Sequence, residues 1–358
     1  MKRFTLLLFI LCQSIVFSQT KDFSIKETIK TAYNTAVNFA EKEKIPGMAI
    51  SVSKDGKLLW SQGFGFSNIE EAIEVNPGTT QFRIASISKS ITAAALAKLM
   101  DEGKLNLDES IYTYVPDFPK KKYDFTIRQV GGHIAGIRHY NGREFILNKK
   151  MSIVEGLDIF KESPLKFEPG TDYSYSTYGW NLLSVVVQNA SKTEFNKYMA
   201  RQIFKPLGMT NTTLDLSDQD MPNRTLFYNK TNAGEVRLGP EVSNEHKVAG
   251  GGFISTSEDL IKFGNEIISP KLLKSTSVKE LVKEQQLANG EGTGYGVGFA
   301  IKETKKGTVS YSHSGGGIGA TTLLLMYPEE GIVISIVTNV SGLPIRDFGE
   351  QLENVFVN

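Results

Sequence analysis

A serine and a lysine stand three positions apart at the start of an apolar run. Ser86 and Lys89 lie in "RIASISKS" (83–90), immediately before the alanine- and leucine-rich stretch "ITAAALAKLM". Residues three apart on a helix share a face. Burial in the first turn lowers the pKa of a lysine toward the value that a general base needs near neutral pH. Because such a lysine accepts the proton of a neighbouring hydroxyl, the pair predicts a serine nucleophile with a lysine base.

The Ser-x-x-Lys spacing is a weak signal by itself, because it occurs four times, with the serine at 18, 51, 86 and 163. Only Ser86 stands at the head of a helical pattern. Ser51 lies in a strand pattern, where a three-residue step places the two side chains on opposite faces. From this stretch alone a second interpretation stays open, in which Ser86 caps the helix and Lys89 extends its ammonium to water.

A second polar cluster precedes another helical run in "EPGTDYSYSTYGWNLLS" (168–184), where Tyr175 and Thr177 flank Ser176. A phenol passes a proton when nearby cations lower its pKa. A polar residue two positions after the phenol, here Thr177, hydrogen-bonds a substrate amide or fixes the position of the lysine. Seen alone, these residues are equally explained as the polar cap of a helix.

A third polar cluster, "YSHSGGGIGA" (311–320), places His313, Ser314 and Gly315 at the end of a strand pattern. Glycine at such a place lets the backbone of a ligand approach closely. The alternative is an edge turn with an exposed histidine. His133 and His139, in "GGHIAGIRHY", are interpreted as structural residues near the site.

The elements that must position these clusters alternate along the chain. Helical spacing covers 24–44, and two strands within 48–68 meet at Asp55-Gly56, a strong hairpin signal. Helical runs dominate from about 86 to 245. The chain then returns to strands, with a hairpin around Pro328–Gly331 and a closing helix. This order predicts a mixed sheet built from both termini with a helical region inserted between them.

Composition and missing motifs limit the partners and the kinds of active site that we expect. The 358 residues carry 40 Lys and Arg against 39 Asp and Glu, a net charge of +1, which gives no electrostatic case for a nucleic-acid partner. No Gly-x-Ser-x-Gly elbow and no His-Glu-x-x-His spacing occurs, so an α/β-hydrolase site and a metal site are not expected. No cofactor is expected either.

The first 18 residues are interpreted as a signal peptide. Lys2 and Arg3 precede an apolar stretch over 4–17 that is short for a membrane span. Cleavage would remove Cys12, the one cysteine, and leave no stable membrane anchor. We therefore expect a periplasmic or secreted protein; an uncleaved anchor is the alternative.

Together, and in this order, the three clusters resemble the serine penicillin-recognising superfamily of β-lactamases, D-alanyl-D-alanine peptidases and related esterases. Its signature is Ser-x-x-Lys, then Tyr-x-Asn or an equivalent, then Lys-Thr-Gly or a His-containing variant. "FEPGTDYSYSTYGWNLLS", "AGGGFISTSEDLIKFG" and "GYGVGF" are similar to the class C β-lactamase-related group. "RIASISKSITAAALAKLMDEGKLNLD" and "GIRHY" are especially similar to the mitochondrial β-lactamase-like serine proteases.

The resemblance implies an α+β fold, in which N- and C-terminal helices flank an antiparallel sheet and an all-helical region is inserted. Residues 19–358 would form a single catalytic domain. Within it, 24–80 and 248–358 would be the α/β part and 81–247 the mainly helical part. The loops over 226–247 and 286–298 are expected to line the site.

The resemblance also implies roles for single residues. Ser86 would be the acylated nucleophile, Lys89 its base and Tyr175 the proton relay to the leaving group. His313 would take the third-motif cation position and orient Tyr175 or a substrate carboxylate. The backbone amides of Ser86 and Gly316 would form the oxyanion hole.

Thr177, Ser314 and Gly315 would contact the substrate. Thr177 stands where the family usually has asparagine, and it offers one donor instead of two. His313 replaces a common lysine and is expected to be only partly charged near pH 7. Both departures favour hydrolysis of peptides, of D-amino-acid or cell-wall type, or of esters. A class C-like β-lactamase, a penicillin- or peptide-binding module without turnover, and a filament-forming protease are the alternatives. The partner is a small molecule or a peptide, and the oligomeric state is left open.

Overall fold

The computed structural model describes residues 24–216, 219, 221–231 and 233–358. The expected signal peptide and Cys12 lie outside these residues. Within them, no helix is long and apolar enough to cross a membrane.

Strands and helices follow the expected order along the chain. The strands are β1 (Gly47–Lys54), β2 (Lys57–Asn68), β3 (Ile73–Glu74), β4 (Phe82–Arg83), β5 (Thr213–Leu214), β6 (Tyr228–Lys230), β7 (Val236–Leu238), β8 (Phe253–Ser255), β9 (Ala300–Glu303), β10 (Val309–Gly317), β11 (Ala320–Tyr327) and β12 (Ile332–Thr338). The helices are α1 (24–42), α2 (Ile87–Asp101), α3 (Ile111–Tyr114), α4 (Ile127–Gly131), α5 (Thr177–Ser191), α6 (Phe195–Met199), α7 (Val248–Gly251), α8 (Ser257–Ile268), α9 (Ser275–Leu281) and α10 (Ile345–Phe356).

In the described part of the chain, seven strands form one antiparallel sheet in the order β3-β2-β1-β12-β11-β10-β9. The N-terminal strand β1 therefore lies against the last strand, β12, and Met48 is opposite Thr338. The β1–β2 turn holds Asp55 and Gly56 at positive φ, as a tight hairpin requires. The expected α+β fold with an antiparallel sheet from both termini is confirmed.

The sheet is covered on both faces because its strands are apolar at successive positions. Ile334 and Ile336 of β12 face a core with α1 and α10, where Phe39 stacks on Phe348 at 4.1 Å between ring centroids. Val333 of β12 faces the larger core, which contains α2, α5 and α8. This alternation is the two-residue period of a strand.

Helix α2 lies inside the larger core. Its residues from Ile87 to Ala97 are all buried, because apolar or small side chains occur all round it. It packs against α5, α7 and α9 and approaches β10 of the main sheet. Its first turn therefore lies between the sheet and the helical region. The 81–247 stretch also contains the short strands β4 to β7 beside its helices.

Candidate active site

Ser86 immediately precedes α2, and its hydroxyl makes no capping bond to the helix. It lies 3.0 Å from Nζ of Lys89, whose side chain is fully buried. The alternative in which Ser86 caps the helix and Lys89 reaches water is therefore wrong. The helical spacing brings hydroxyl and amine together as predicted.

The Lys89 amine is held from three sides. Besides Ser86, its Nζ lies 3.2 Å from Oγ1 of Thr177 and 2.5 Å from the carbonyl oxygen of Gly250. Burial lowers the pKa of Lys89 well below its ordinary value, and no carboxylate lies within 4 Å to oppose this among the described residues. The environment therefore favours a neutral amine, whose lone pair can receive the Ser86 proton.

The backbone before Ser86 is unusual. Ala85 has φ of 46°, a left-handed conformation that costs a non-glycine residue about 1–2 kcal/mol. Strand β10 packs directly against this segment, because a Cβ on Gly315 would lie 2.3 Å from the carbonyl oxygen of Ile84. Gly315 was expected to make room for a ligand. The missing Cβ makes room for the chain's own backbone, and a contact between the Gly315 backbone and substrate stays a prediction.

Tyr175 is the second group on Ser86, and a hydrogen bond joins the two side chains. The Tyr175 ring also lies over Lys89, with Nζ 4.9 Å from the ring centroid. Burial raises the pKa of Tyr175, and the Ser86 hydrogen bond only partly opposes the rise. The expectation that nearby cations lower the pKa of this phenol is therefore wrong, and Tyr175 keeps its proton at neutral pH.

Two histidines support the Tyr175 segment. Nδ1 of His133 accepts from the amide of Ser176, and Nδ1 of His139 accepts from the amide of Thr177, each at 3.1 Å. His133 also lies 4.3 Å from Tyr175 between ring centroids. Burial lowers the pKa of His139 to about 4. Both imidazoles lie beside the predicted chemistry, as the sequence indicated.

His313 is buried and its ring nitrogens are both bonded. Nδ1 donates to the carbonyl oxygen of Ser314 at 2.7 Å, so Nε2 accepts from the hydroxyl of Tyr295 at 2.8 Å. Burial lowers the pKa of His313 to about 3. The expectation of a partly charged imidazole at pH 7 is therefore wrong. The ring reaches Tyr175 only at 6.5 Å between centroids.

Successive side chains of the third cluster point to opposite faces of strand β10. Strand β10 continues through the glycines to Gly317. The Ser314 side chain accepts a 3.2 Å hydrogen bond from Arg346 on α10 and does not line the cleft that holds Ser86. Its contact with substrate stays a prediction. Gly316 borders the cleft, and a Cβ there would meet no atom within 4 Å.

Ser86 opens into a cleft of about 210 Å³. The predicted 226–247 loop contributes to its wall. The 286–298 loop was also predicted to line it, but none of the lining residues belongs to that loop, whose Tyr295 instead hydrogen-bonds His313. Several lining residues were not predicted, since no motif marks them. The lining residues are Arg83, Ala85, Ser86, His139, Tyr140, Phe145, Tyr175, Thr177, Val242, Asn244, Lys247, Gly250, Gly251, Gly316, Gly317, Ile318 and Ala320.

Within the described ranges, no group of three or more histidine, cysteine, aspartate and glutamate side chains is arranged to hold a metal ion. The groups around Ser86 are an amine, a phenol, hydroxyls and backbone amides, which suit acyl transfer.

Known proteins are similar to this chain in sequence. The human mitochondrial serine β-lactamase-like protein LACTB is 30% identical over 84% of this chain and 74% of that protein. Protein flp of Staphylococcus aureus is 27% identical over 89% of this chain and 64% of that protein.

Solved structures show the same fold at lower identity. The octameric penicillin-binding protein homologue from Pyrococcus abyssi has a TM-score of 0.78 at 23% identity, covering 91% of this chain and 76% of that one. The D-amino acid amidase from Ochrobactrum anthropi has a TM-score of 0.78 at 19% identity, covering 92% and 98%. The hydrolase EstCE1 has a TM-score of 0.80 at 18% identity, covering 94% and 100%.

A family model described as "Beta-lactamase" matches residues 34–354, which span nearly all of the described chain. The chain therefore belongs to the β-lactamase family of serine hydrolases.

Proposed function

We propose that this protein hydrolyses peptide bonds, of D-amino-acid or cell-wall type, or ester bonds through an acyl-enzyme on Ser86. The observation that carries the proposal is the fully buried Lys89 amine 3.0 Å from the Ser86 hydroxyl. A neutral amine at this distance is a general base for the serine. The D-amino-acid class is supported by the amidase among the proteins of similar fold.

Lys89 and Tyr175, which both contact Ser86, carry out different proton transfers. Lys89 takes the hydroxyl proton as the serine oxygen bonds to the acyl carbon. Tyr175, a neutral phenol, gives its proton to the leaving nitrogen or oxygen as the scissile bond breaks. The proton on Lys89 then restores the phenol. During deacylation a water molecule attacks the acyl carbon and gives a proton to the neutral amine of Lys89. The bond between the acyl carbon and Ser86 then breaks as the serine oxygen is reprotonated.

The oxyanion hole is proposed to consist of the backbone amides of Ser86 and Gly316. Gly316 borders the cleft next to the nucleophile, and the packing of Gly315 on Ile84 fixes the distance between the two amides. Each donor of this kind contributes on the order of 3 kcal/mol to the transition state.

Thr177 favours peptide or ester hydrolysis over β-lactam turnover. Its hydroxyl lies 3.2 Å from Nζ of Lys89. It offers one donor to the amide side chain of a β-lactam, where asparagine offers two. Export to the periplasm or the exterior remains our proposal from the N-terminal sequence.

The first test is intact mass spectrometry of the folded protein after exposure to a fluorophosphonate and, separately, to a penicillin. We expect one fluorophosphonate adduct, mapped to Ser86, and none on the Ser86→Ala variant. Full labelling of that variant would overturn the proposal. A penicillin adduct that persists would indicate slow deacylation, and one that never clears would indicate a binding module without turnover.

A further inference from the structure

The cleft around Ser86 has a polar wall that the proposed chemistry does not use. This wall contains Lys247, which is 5% exposed, next to the half-exposed ring of Phe145. Nζ of Lys247 donates to the carbonyl oxygen of Phe145 at 2.8 Å. One of its three N–H groups is therefore committed, and the others remain for the cleft.

The positive charge of Lys247 is not neutralised by a neighbour. Among the described residues, no carboxylate oxygen lies within 4 Å of its Nζ, and none of the lining residues is aspartate or glutamate. Burial lowers the pKa of Lys247 to about 8, helped by Arg83 and opposed by Asp215. The amine is therefore largely charged at pH 7.

The other basic groups of the cleft are occupied or neutral. Arg83 is paired with buried Asp215 at 2.6 Å and donates to the carbonyl oxygen of Ile318. Lys89 is committed to the nucleophile. His139 is neutral above about pH 4 because it is buried. Lys247 is thus the charged group that the described cleft wall offers to a ligand.

A buried lysine without a carboxylate partner is costly for a fold. Besides the Phe145 carbonyl, the Lys247 ammonium has the face of Tyr140, with Nζ 5.8 Å from the ring centroid, and these two contacts do not offset the loss of water around a full charge. An apolar side chain would fill the same place without that cost. A negatively charged ligand would offset the cost of desolvating the Lys247 ammonium. A charge-assisted hydrogen bond in a partly desolvated cleft is among the stronger polar contacts.

We propose that Lys247 forms a subsite for a carboxylate on the substrate, so that the preferred acyl compounds are acidic. Phe145 and Ile318 supply the apolar contacts beside it. This inference rests on the proposed acyl transfer at Ser86. It assigns carboxylate recognition to Lys247 instead of His313, because burial lowers the pKa of His313 to about 3.

The test uses fluorophosphonates in which the alkyl or the alkoxy chain ends in either a methyl group or a carboxylate. The alkyl chain probes the acyl side of the cleft, and the alkoxy chain probes the leaving-group side. The rate of Ser86 adduct formation is followed by intact mass spectrometry at pH 7. We expect at least one carboxylated probe to react about tenfold faster than its neutral counterpart, the gain of one charged hydrogen bond.

In Lys247→Met this rate ratio should fall to about one, and in Lys247→Arg most of it should remain. Lys197→Met, at an exposed helical position paired with Glu194, is the matched control and should keep the full ratio. Thermal melting of each variant verifies folding, and Lys247→Gln replaces Lys247→Met if the latter does not fold.

Two results would overturn the inference. The first is a ratio near one for both chains in the unmodified protein, and the second is a ratio that survives in Lys247→Met. Either result leaves the proposed function standing as long as the neutral probe labels Ser86. Failure of every probe to label folded protein would overturn the proposed function, and this inference with it.

Discussion

Lys89 and Tyr175 both contact Ser86, and burial moves their pKa values in opposite directions, down for the amine and up for the phenol. Both shifts favour the neutral form, because burial penalises charge of either sign. The resting site therefore holds a base and an acid without a formal charge on either. His313 follows the same rule and is neutral above about pH 3.

The pH profile of labelling follows from these protonation states. With a neutral fluorophosphonate, the rate should rise with pH through the depressed pKa of Lys89, because only the deprotonated amine accepts the serine proton, and then reach a plateau. His313→Gln should keep this single rise at the same pH. A rise near pH 6.5 that vanishes in the variant would show instead that His313 titrates and controls the reaction.

At the residue scale the sequence predicted the Ser86–Lys89 pair, because three-residue spacing on a helix is a local property. It did not predict the protonation state of His313. That state depends on the hydroxyl of Tyr295, 18 positions away, and on burial, which arises only when the elements pack. Lys247 was missed for the same reason, since no motif marks it.

At the scale of elements, the site depends on β10 lying against the residues that lead into α2. The contact needs a glycine, since a Cβ on Gly315 would lie 2.3 Å from both the Ile84 carbonyl oxygen and Oγ1 of Thr322. The sequence predicted β10 and α2 separately from their periodicity. It indicated a cluster of glycines. It did not indicate that Gly315 packs against the backbone of Ile84 whereas Gly316 borders the cleft.

Gly315→Ala should therefore displace β10 from the nucleophile. We expect the unfolding free energy to fall by about 1–3 kcal/mol through overpacking, and the labelling rate to fall by about tenfold or more through misplacement of the oxyanion donor. Urea denaturation and labelling kinetics measure the two effects. Gly316→Ala is the matched control for stability, because its Cβ enters open space; an equal loss of stability in both variants would contradict this account.

At the scale of the whole molecule, the sheet separates two cores. The larger core holds α2 and the site, and the smaller one lies between the sheet, α1 and α10. The sequence predicted the two terminal helices and a sheet built from both ends. The order of its strands was not predictable from local patterns, because pairing between β1 and β12 joins residues nearly 300 positions apart.

The separation of the cores predicts that stability can be lost without rearranging the site. Phe348 is fully buried in the smaller core and stacks on Phe39. Phe348→Ala should lower the unfolding free energy by about 3–5 kcal/mol, as measured by urea denaturation. The Ser86 labelling rate of the folded variant should change less than twofold.

Leu58→Ala, at a side chain that is 53% exposed on β2, should leave the unfolding free energy nearly unchanged. A large drop in labelling by folded Phe348→Ala would show that the two cores are energetically coupled through the sheet.

The adjacency of β1 and β12 also bears on how the chain folds while it is being made. When β1 leaves the ribosome, its β2 partner follows at once, but the other edge of β1 stays unpaired until β12, far along the chain, has been made. Strands β11 and β10 join the sheet through β12, so β10 cannot take its final place beside Ser86 until then. Such high contact order slows folding and leaves an open strand edge on the nascent chain. Nucleophile and oxyanion donor therefore meet only after β12 has been made, and a chain that stops before β12 holds an inactive serine.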